Sequence, residues 1–100
     1  MIKILKSEKE IKIIGHAGYD EYGKDIVCSA VSTLIDTTIS YFEELNKNFY
    51  YEVSNGYAKI KLGDDDIVAN KIFKRMCNIL KDLTEQYPRN IEMECVKWKN

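Results

Sequence analysis

The sequence has 100 residues, 45% hydrophobic and 31% charged, with one proline and five glycines, a composition that excludes a disordered chain. Fifteen basic and sixteen acidic residues leave a net charge of -1, without the basic excess that is typical of nucleic-acid-binding domains. Residues 1–14 lack the continuous apolar segment of a secretion signal, and no apolar run approaches the ~20 residues of a membrane span. We therefore expect a single soluble, cytoplasmic domain over residues 1–100.

The first half of the chain predicts two strands and a long helix. Apolar and polar residues alternate over residues 2–5 and 10–14, and the polar residues between these two segments suit a hairpin turn. Asp25 is a good N-cap residue immediately before an apolar segment, and the helix that it opens extends to about residue 46. Its predicted apolar face consists of Val27, Val31, Leu34, Thr38, Phe42 and Leu45.

The second half predicts a hairpin, a helix and a last strand. Residues 49–54 and 57–62 read as strands, joined at Asn55-Gly56 by a type I′ turn, which needs a positive φ at both positions. Acidic residues 64–66 precede a helix that ends before Pro88. Its predicted apolar face consists of Val68, Ile72, Met76, Ile79, Leu80 and Leu83. The last strand is predicted over residues 91–98, with Ile91, Met93 and Cys95 on one face.

The predicted order is therefore ββαββαβ. Short antiparallel hairpins combined with two helices indicate an α+β fold, in which a mostly antiparallel sheet is layered with the two helices. The three cysteines, Cys28, Cys77 and Cys95, are an odd number at wide spacing. That pattern is neither a disulfide framework nor a zinc motif, so we expect reduced thiols, no metal and no cofactor.

Cys28 is the candidate nucleophile. If Asp25 caps the helix, Cys28 is the third residue of its first turn, where free backbone N–H groups and the helix dipole stabilise a thiolate and can also form an oxyanion hole. His16, the only histidine, ends the second predicted strand and can accept the thiol proton. A lone cysteine on an amphipathic helix is, however, more often a small buried hydrophobe, which is the interpretation we favour for Cys77 and Cys95.

Several polar residues near His16 and Cys28 can each have more than one role. Asp25 can either cap the helix or orient the histidine, and we favour the cap. Ser32 lies one helical turn after Cys28, where it can bond near the thiol or to the carbonyl of Cys28. Asp20 and Glu21 are candidates for substrate contact, although carboxylates in loops are usually just solvated.

Residues 15–32, GHAGYDEYGKDIVCSAVS, resemble the signature of the ribosomal-processing cysteine protease family Prp. The shared features are the Gly-His-Ala segment, the short glycine-containing loop and the Asp-Ile-Val-Cys segment, and length and element order agree over the whole chain. The resemblance implies that His16 is the general base and Cys28 the nucleophile, supported by Asp25 and Ser32. Ser29 stands where we expect alanine in most relatives, but it is small and does not put activity in doubt.

The resemblance also implies a mobile flap over residues 18–24 that orders over bound substrate. Its hinge points would be Gly15 and Gly18, and the flap would contain Tyr19, Tyr22 and Gly23. Because two tyrosines lie in this loop, we expect it to favour an extended peptide with apolar or aromatic side chains.

Members of the family remove a short N-terminal extension from large-subunit ribosomal protein twenty-seven, and they are homodimers. The resemblance therefore implies that this ribosomal protein precursor is the peptide substrate and that the chain forms a homodimer. The balanced charge and the lack of a long apolar run predict that it binds neither nucleic acid directly nor a membrane. One alternative is a non-catalytic ribosome-assembly or protein-interaction module of the same fold, which would bind its partner through a sheet face or through the tyrosine-rich strands with Tyr50, Tyr51 and Tyr57. A weaker alternative is RNA binding by the same aromatic residues, against which the balanced charge argues.

Overall fold

The computed structural model describes residues 1–21 and 23–97 of the chain. Its elements are β1 (Ile2–Lys6), β2 (Glu10–Ile14), α1 (Ile26–Glu44), β3 (Phe49–Ser54), β4 (Tyr57–Leu62), α2 (Ile67–Gln86) and β5 (Ile91–Cys95). The predicted ββαββαβ order is confirmed. The last strand was predicted to reach Trp98, but β5 ends three residues earlier, and Trp98 lies outside the described residues.

The five strands form one sheet in the order β3-β4-β2-β1-β5. Three of the four strand pairs are antiparallel, and only β1 and β5 run parallel, so the expected mostly antiparallel sheet is confirmed. In the register of β2 with β4, Ile14 at the end of β2 lies opposite Tyr57 at the start of β4. The β3–β4 turn is therefore next to the residues that follow β2.

The core lies between one face of the sheet and the two helices. Alternation along the strands buries one set of side chains against the helices: Ile2, Ile4, Ile11, Ile13, Ile60, Leu62 and Ile91. The opposite face is polar and carries ion pairs between strands, such as Lys59 with Glu10 at 3.4 Å and Lys3 with Glu92 at 3.9 Å. These pairs are partly or largely exposed and contribute little to stability, which comes mainly from the buried face.

The apolar face of α1 is broader than predicted. Its buried residues are Val27, Val31, Ile35, Thr38, Ile39 and Phe42. The prediction missed Ile35 and Ile39, and it was wrong for Leu45, which caps the C-terminus and is 39% exposed. Because α1 carries apolar residues on most sides, spacing alone does not select the side that meets the sheet.

The predicted apolar face of α2 was mostly correct. Its buried residues are Ala69, Phe73, Met76, Cys77 and Leu80. Val68 and Ile79, which were predicted to face the core, are 47% and 39% exposed. Met76, Leu80 and Cys77 are buried as predicted, and Ile72 and Leu83 are partly buried against the core. The prediction was therefore wrong only for Val68 and Ile79.

The ends of both helices have clear chemical causes. Lys47 donates its N–H to the carbonyl of Phe42 at 2.9 Å, and Asn46, with φ of 53°, donates to Glu43 at 3.1 Å, which together form a Schellman motif. Asp66 caps α2 by accepting the N–H of Ala69 at 2.8 Å. Asn46 was correctly predicted to mark the end of α1.

The β3–β4 turn differs from its predicted type. Gly56 has a φ of 71°, but Asn55 is not among the residues with positive φ, so the type I′ prediction was wrong. A positive φ at the second central residue alone is the pattern of a type II turn. The turn therefore depends on Gly56 in particular.

Within residues 1–21 and 23–97, neither helix combines the length and the apolar character that a membrane-spanning helix requires.

Cys95 was predicted to lie in the core, and that prediction was wrong. Ile91 is 1% exposed, Met93 is partly buried and Cys95 is exposed, so burial declines along β5. The three residues do share a face, because alternate strand residues do. However, β5 is an edge strand, Cys95 is its last residue, and the Cys95 side chain is exposed there.

We predict that Cys77 resists alkylation in the folded protein whereas Cys95 reacts. Cys77 is buried, and this burial raises the pKa of its thiol to about 11, so almost no thiolate is present near neutral pH. Iodoacetamide labelling followed by peptide mass spectrometry would measure this at each cysteine. Labelling in urea is the control, since all three thiols should then react. Equal labelling of Cys77 and Cys95 without denaturant would contradict the assigned burial.

Candidate active site

Cys28 lies in the first turn of α1, as predicted. Helix α1 begins at Ile26, and the Asp25 carboxylate caps it by accepting the N–H of Cys28 on Oδ1 at 2.9 Å. The thiol is partly buried, and its Sγ accepts a hydrogen bond from the N–H of Ala17 at 3.2 Å. The sulfur therefore faces both a backbone donor and the positive end of the helix dipole, and both stabilise a thiolate.

Asp25 connects the start of α1 to the preceding loop. While Oδ1 accepts the helix N–H, Oδ2 accepts the backbone N–H groups of Tyr19 at 2.9 Å and Asp20 at 3.4 Å. Burial acts to raise the pKa of Asp25, but the hydrogen bonds from Cys28, Tyr19 and Asp20 outweigh it and lower the pKa. Both oxygens are thus occupied by backbone donors, which supports the capping role over orientation of His16.

His16 follows β2 directly and is fixed through its backbone. Gly15 donates its N–H to the carbonyl of Gly56 at 2.8 Å, and the amino group of Met1 donates to the carbonyl of His16 at 2.6 Å. The His16 side chain is exposed, and no hydrogen bond joins its ring to the Cys28 thiol. Apo structures commonly have long or absent catalytic hydrogen bonds, so this geometry does not exclude the pair from chemistry.

The His16 ring packs against the β3–β4 turn. A Cβ placed on Gly56 would lie 3.0 Å from Nε2 of His16 and 3.5 Å from Cε1. Any larger residue at this position would push the ring away. Sequence reasoning read Asn55-Gly56 only as a turn and missed this contact, because it depends on the register between β2 and β4.

Both backbone groups of Ala17 form hydrogen bonds to other parts of the chain. Its N–H donates to the thiol, and its carbonyl accepts a hydrogen bond from Nδ2 of Asn90 at 3.1 Å. Asn90 in turn accepts the N–H of Ile2 through its own carbonyl at 2.8 Å. This fixes the Ala17 N–H relative to Cys28. No local sequence signal indicates Asn90, since it lies 73 residues from Ala17.

An open groove of about 830 Å³ runs between α1 and the β3–β4 turn. It is lined by most of the predicted site residues: Gly15, His16, Gly18, Asp20, Gly23, Asp25, Cys28 and Ser32. Its far wall consists of residues 53–58. The groove thus brings the candidate nucleophile and base to one surface.

Other predicted site residues lie outside the groove lining. Tyr19 packs edge-on against Tyr87, with ring centroids 5.6 Å apart. Glu21 is exposed and lies 4.0 Å from Lys24. Tyr22 lies outside the described residues.

The predicted flap contains two glycines with positive φ, Gly18 at 66° and Gly23 at 86°, and no atom lies within 4 Å of a Cβ built on either. Gly15 differs, because a Cβ there would lie 2.6 Å from the carbonyl oxygen of Met1. Glycine at position 15 therefore permits a close backbone approach, whereas its role as a hinge stays a prediction. Within the described residues, no group of three or more His, Cys, Asp or Glu side chains could hold a metal ion.

The three tyrosines of the alternative binding surface do not share one face. In the β3–β4 register Tyr50 and Tyr57 lie on the polar face, and Lys59 lies over the Tyr50 ring at 5.5 Å. Tyr51 lies on the opposite face and stacks on Phe49 at 5.7 Å. The structure therefore does not support a continuous aromatic platform for RNA or a partner protein.

An α+β fold that presents a helix-terminal thiol and a histidine to one open groove has the arrangement that thiol-dependent hydrolases use. Comparison with known proteins identifies the family. The sequence matches the family described as cysteine protease Prp over residues 1–92. It is 33% identical over 91 residues to the ribosomal processing cysteine protease Prp of Mycoplasma genitalium, covering 91% of this chain and 92% of that protein. The chain belongs to the Prp family and is a cysteine protease.

Solved structures show the same fold. The essential ribosomal processing protease Prp from S. aureus, in complex with a covalently linked product peptide, superposes with a TM-score of 0.90 at 24% identity. The same S. aureus protease in complex with a substrate peptide gives a TM-score of 0.84 at 23% identity. Each match covers 96% of this chain and 100% of the other. Membership of a protease family favours catalysis over the non-catalytic alternative.

We predict that Asp25→Asn destabilises the protein in a pH-dependent way. The folded pKa of Asp25 lies below its ordinary value of 3.8, so its ionised form stabilises the fold above that value. This contribution is lost as the pH falls through the folded pKa. The difference in unfolding free energy between wild type and variant should therefore shrink below pH 3.8, as measured by urea unfolding over a pH series. A difference that does not change with pH would refute the assignment.

We predict that Gly56→Ala lowers kcat/KM by roughly tenfold, because the new Cβ displaces the His16 ring by several tenths of an ångström. Alanine at a positive φ also adds about 1 kcal/mol of strain. Asn46→Ala is the matched control, since Asn46 also has a positive φ but lies outside the groove lining. Peptide cleavage and thermal unfolding should show both variants destabilised and only Gly56→Ala slowed. Equal activity in the two variants would count against a positioning role for the turn.

Proposed function

We propose that this protease removes the N-terminal extension from a precursor of large-subunit ribosomal protein twenty-seven, with Cys28 as nucleophile and His16 as general base. The observation that carries this proposal is the thiol at the third position of α1, which accepts the N–H of Ala17 at 3.2 Å within the groove that His16 also lines. The substrate is supported by the sequence resemblance and by the ribosomal processing role in the names of the relatives.

The first step is formation of the thiolate. The Ala17 N–H and the positive end of the α1 dipole stabilise negative charge on Sγ. His16, whose ring is positioned against Gly56 in the same groove, accepts the thiol proton. Because the His16 backbone is fixed at both its carbonyl and its Gly15 neighbour, the imidazole approaches Sγ by side-chain movement alone, and the β3–β4 turn limits its range.

The thiolate then attacks the scissile carbonyl and forms a carbon–sulfur bond. The negative charge moves to the carbonyl oxygen, which needs a nearby donor. The N–H of Cys28 already donates to Asp25, so it is not free for this role. The N–H of Ala17 is the donor next to the sulfur, and we propose that the oxyanion, which develops beside Sγ, accepts its hydrogen bond.

Collapse of this intermediate breaks the carbon–nitrogen bond. Protonated His16 gives its proton to the leaving amine, which departs and leaves a thioester on Cys28. Water, deprotonated by His16, then attacks the thioester and releases the carboxylate product and the free thiol. This sequence requires no metal or cofactor, because the two side chains and one water balance every proton.

The remaining parts of the site have supporting roles in this proposal. Residues 18–24 form a flap that closes over the bound peptide, and its base is attached to α1 through the two hydrogen bonds of Asp25 Oδ2. Ser32 lines the groove one turn beyond Cys28, where its exposed hydroxyl can bond to the substrate backbone. The groove is open, which suits an extended peptide, and the S. aureus relatives bind peptides.

Two further parts of the proposal, the homodimer and the cytoplasmic location, rest on the resemblance to the family. A domain of 100 residues has a modest core, and a homodimer would bury more apolar surface. Exposed apolar side chains such as Ile67, at 72% exposure, are available for such burial.

We predict that Cys28→Ala abolishes cleavage of a peptide that spans the N-terminal extension, since the nucleophile is lost. His16→Ala should lower kcat by roughly 10²- to 10⁴-fold, the usual contribution of general acid–base catalysis. Mass spectrometry of the products measures both effects. Cys95→Ala is the matched control, because Cys95 is an exposed thiol away from the groove and its loss should leave the rate unchanged. Residual cleavage by Cys28→Ala at the wild-type rate would overturn the proposal.

A further inference from the structure

One face of α1 continues the groove beyond Cys28. Cys28, Ser32 and Asp36 follow one another at intervals of four residues, which places them in a row along the helix, and all three line the groove. Eight residues of helix correspond to about 12 Å along the axis. Asp36 therefore lies about 12 Å from the nucleophile on the same wall.

The Asp36 carboxylate makes no ion pair or hydrogen bond with the described residues, and its side chain is exposed. The other two carboxylates of the groove differ, since Asp25 accepts three backbone N–H groups and Asp20 accepts that of Glu21 at 2.7 Å. Among the described residues that line the groove there is no lysine or arginine. The Asp36 carboxylate can therefore pair with a basic side chain of a substrate, because no basic residue of the groove lining pairs with it.

Asp36 does not stabilise the helix in which it lies. It lies in the middle of α1, where aspartate is a poor helix former, and it is far from the N-terminus that a carboxylate would stabilise. The positions three and four residues away hold threonine, serine and isoleucine, so no i,i+4 ion pair forms. Helix α1 contains no lysine or arginine at all. Stabilisation of α1 therefore does not explain why a carboxylate occupies this position.

We propose that Asp36 is a specificity-determining residue that selects a lysine or arginine side chain in the substrate, three to four residues from the scissile bond. This inference rests on the proposed function of Cys28. An extended peptide advances about 3.3 Å per residue, so 12 Å corresponds to between three and four residues. A basic side chain at that distance reaches the carboxylate and forms an exposed ion pair, which contributes about three- to fivefold to kcat/KM.

The experiment uses a series of peptides derived from the one whose cleavage tests the proposed function. One lysine is placed in turn at each position from two to five residues on either side of the scissile bond, and glutamine at the same position gives the neutral reference. We expect wild type to prefer lysine at one such position by about three- to fivefold in kcat/KM. Asp36→Asn should remove the preference, and Asp36→Lys should reverse it in favour of glutamate. Because the ion pair is exposed, added salt should weaken the wild-type preference.

Asp82→Asn is the matched control, since Asp82 is an exposed helical aspartate in α2 that lies outside the groove lining. This variant should keep the preference of wild type. The inference is overturned if wild type cleaves the peptides without a position-dependent preference for lysine, or if Asp36→Asn retains that preference. If wild type cleaves none of the peptides, including the neutral ones, the proposed function fails and the inference fails with it.

Discussion

The carboxylate of Asp25 joins two parts of the molecule that the chemistry needs in one place. Its Oδ1 caps the N-terminus of α1 by accepting the N–H of Cys28, and its Oδ2 accepts the N–H groups of Tyr19 and Asp20 and so fixes the preceding loop. Without it, the first turn of the helix would lack its cap and the loop would lose its attachment beside the thiol. The hydrogen bonds that lower its pKa also keep it ionised, so this connection is maintained at neutral pH.

The sheet contributes the second half of the site. Antiparallel pairing of β2 with β4 places Gly56 against the His16 ring, while the parallel pairing of β1 with β5 places Asn90 against Ala17. The candidate nucleophile thus lies on a helix, and the candidate base packs against a turn between strands. The segment from Gly15 to Ala17 contacts both parts, because Gly15 donates to the carbonyl of Gly56 and Ala17 donates to Sγ of Cys28. Small changes in its backbone would therefore alter the position of His16 relative to Cys28.

Much of the fold could be predicted from local patterns. Alternation identified the strands, and Asp25 and Asn46 marked the ends of α1 because caps leave a local chemical signature. The helix faces were predicted less well, since broad apolar surfaces do not specify which side meets the sheet. Exposure of Cys95 could not be predicted either, because burial depends on where a strand lies in the sheet, and β5 turned out to be an edge strand.

The candidate site also contains some residues that local patterns reveal and others that they do not. His16, Cys28 and Asp25 lie within thirteen consecutive positions of the chain, 16 to 28, so their motif and spacing were visible. The contacts of Gly56 and Asn90 were not, because they arise from strand register and from segments far apart in sequence. Asp36 was equally invisible, since an exposed helical aspartate gains meaning only when its distance from a thiol and the wall of a groove are known.

The bond between Asn90 and Ala17 has a consequence for the order of events during synthesis. It closes a separation of 73 residues, and such long-range contacts form late because they require most of the chain to be in place. While the ribosome is still making α2, Ala17 lacks this anchor and its N–H is not fixed toward the sulfur. The Ala17 N–H is therefore aligned with Sγ of Cys28 only once the chain has been made at least as far as Asn90 and this bond has closed.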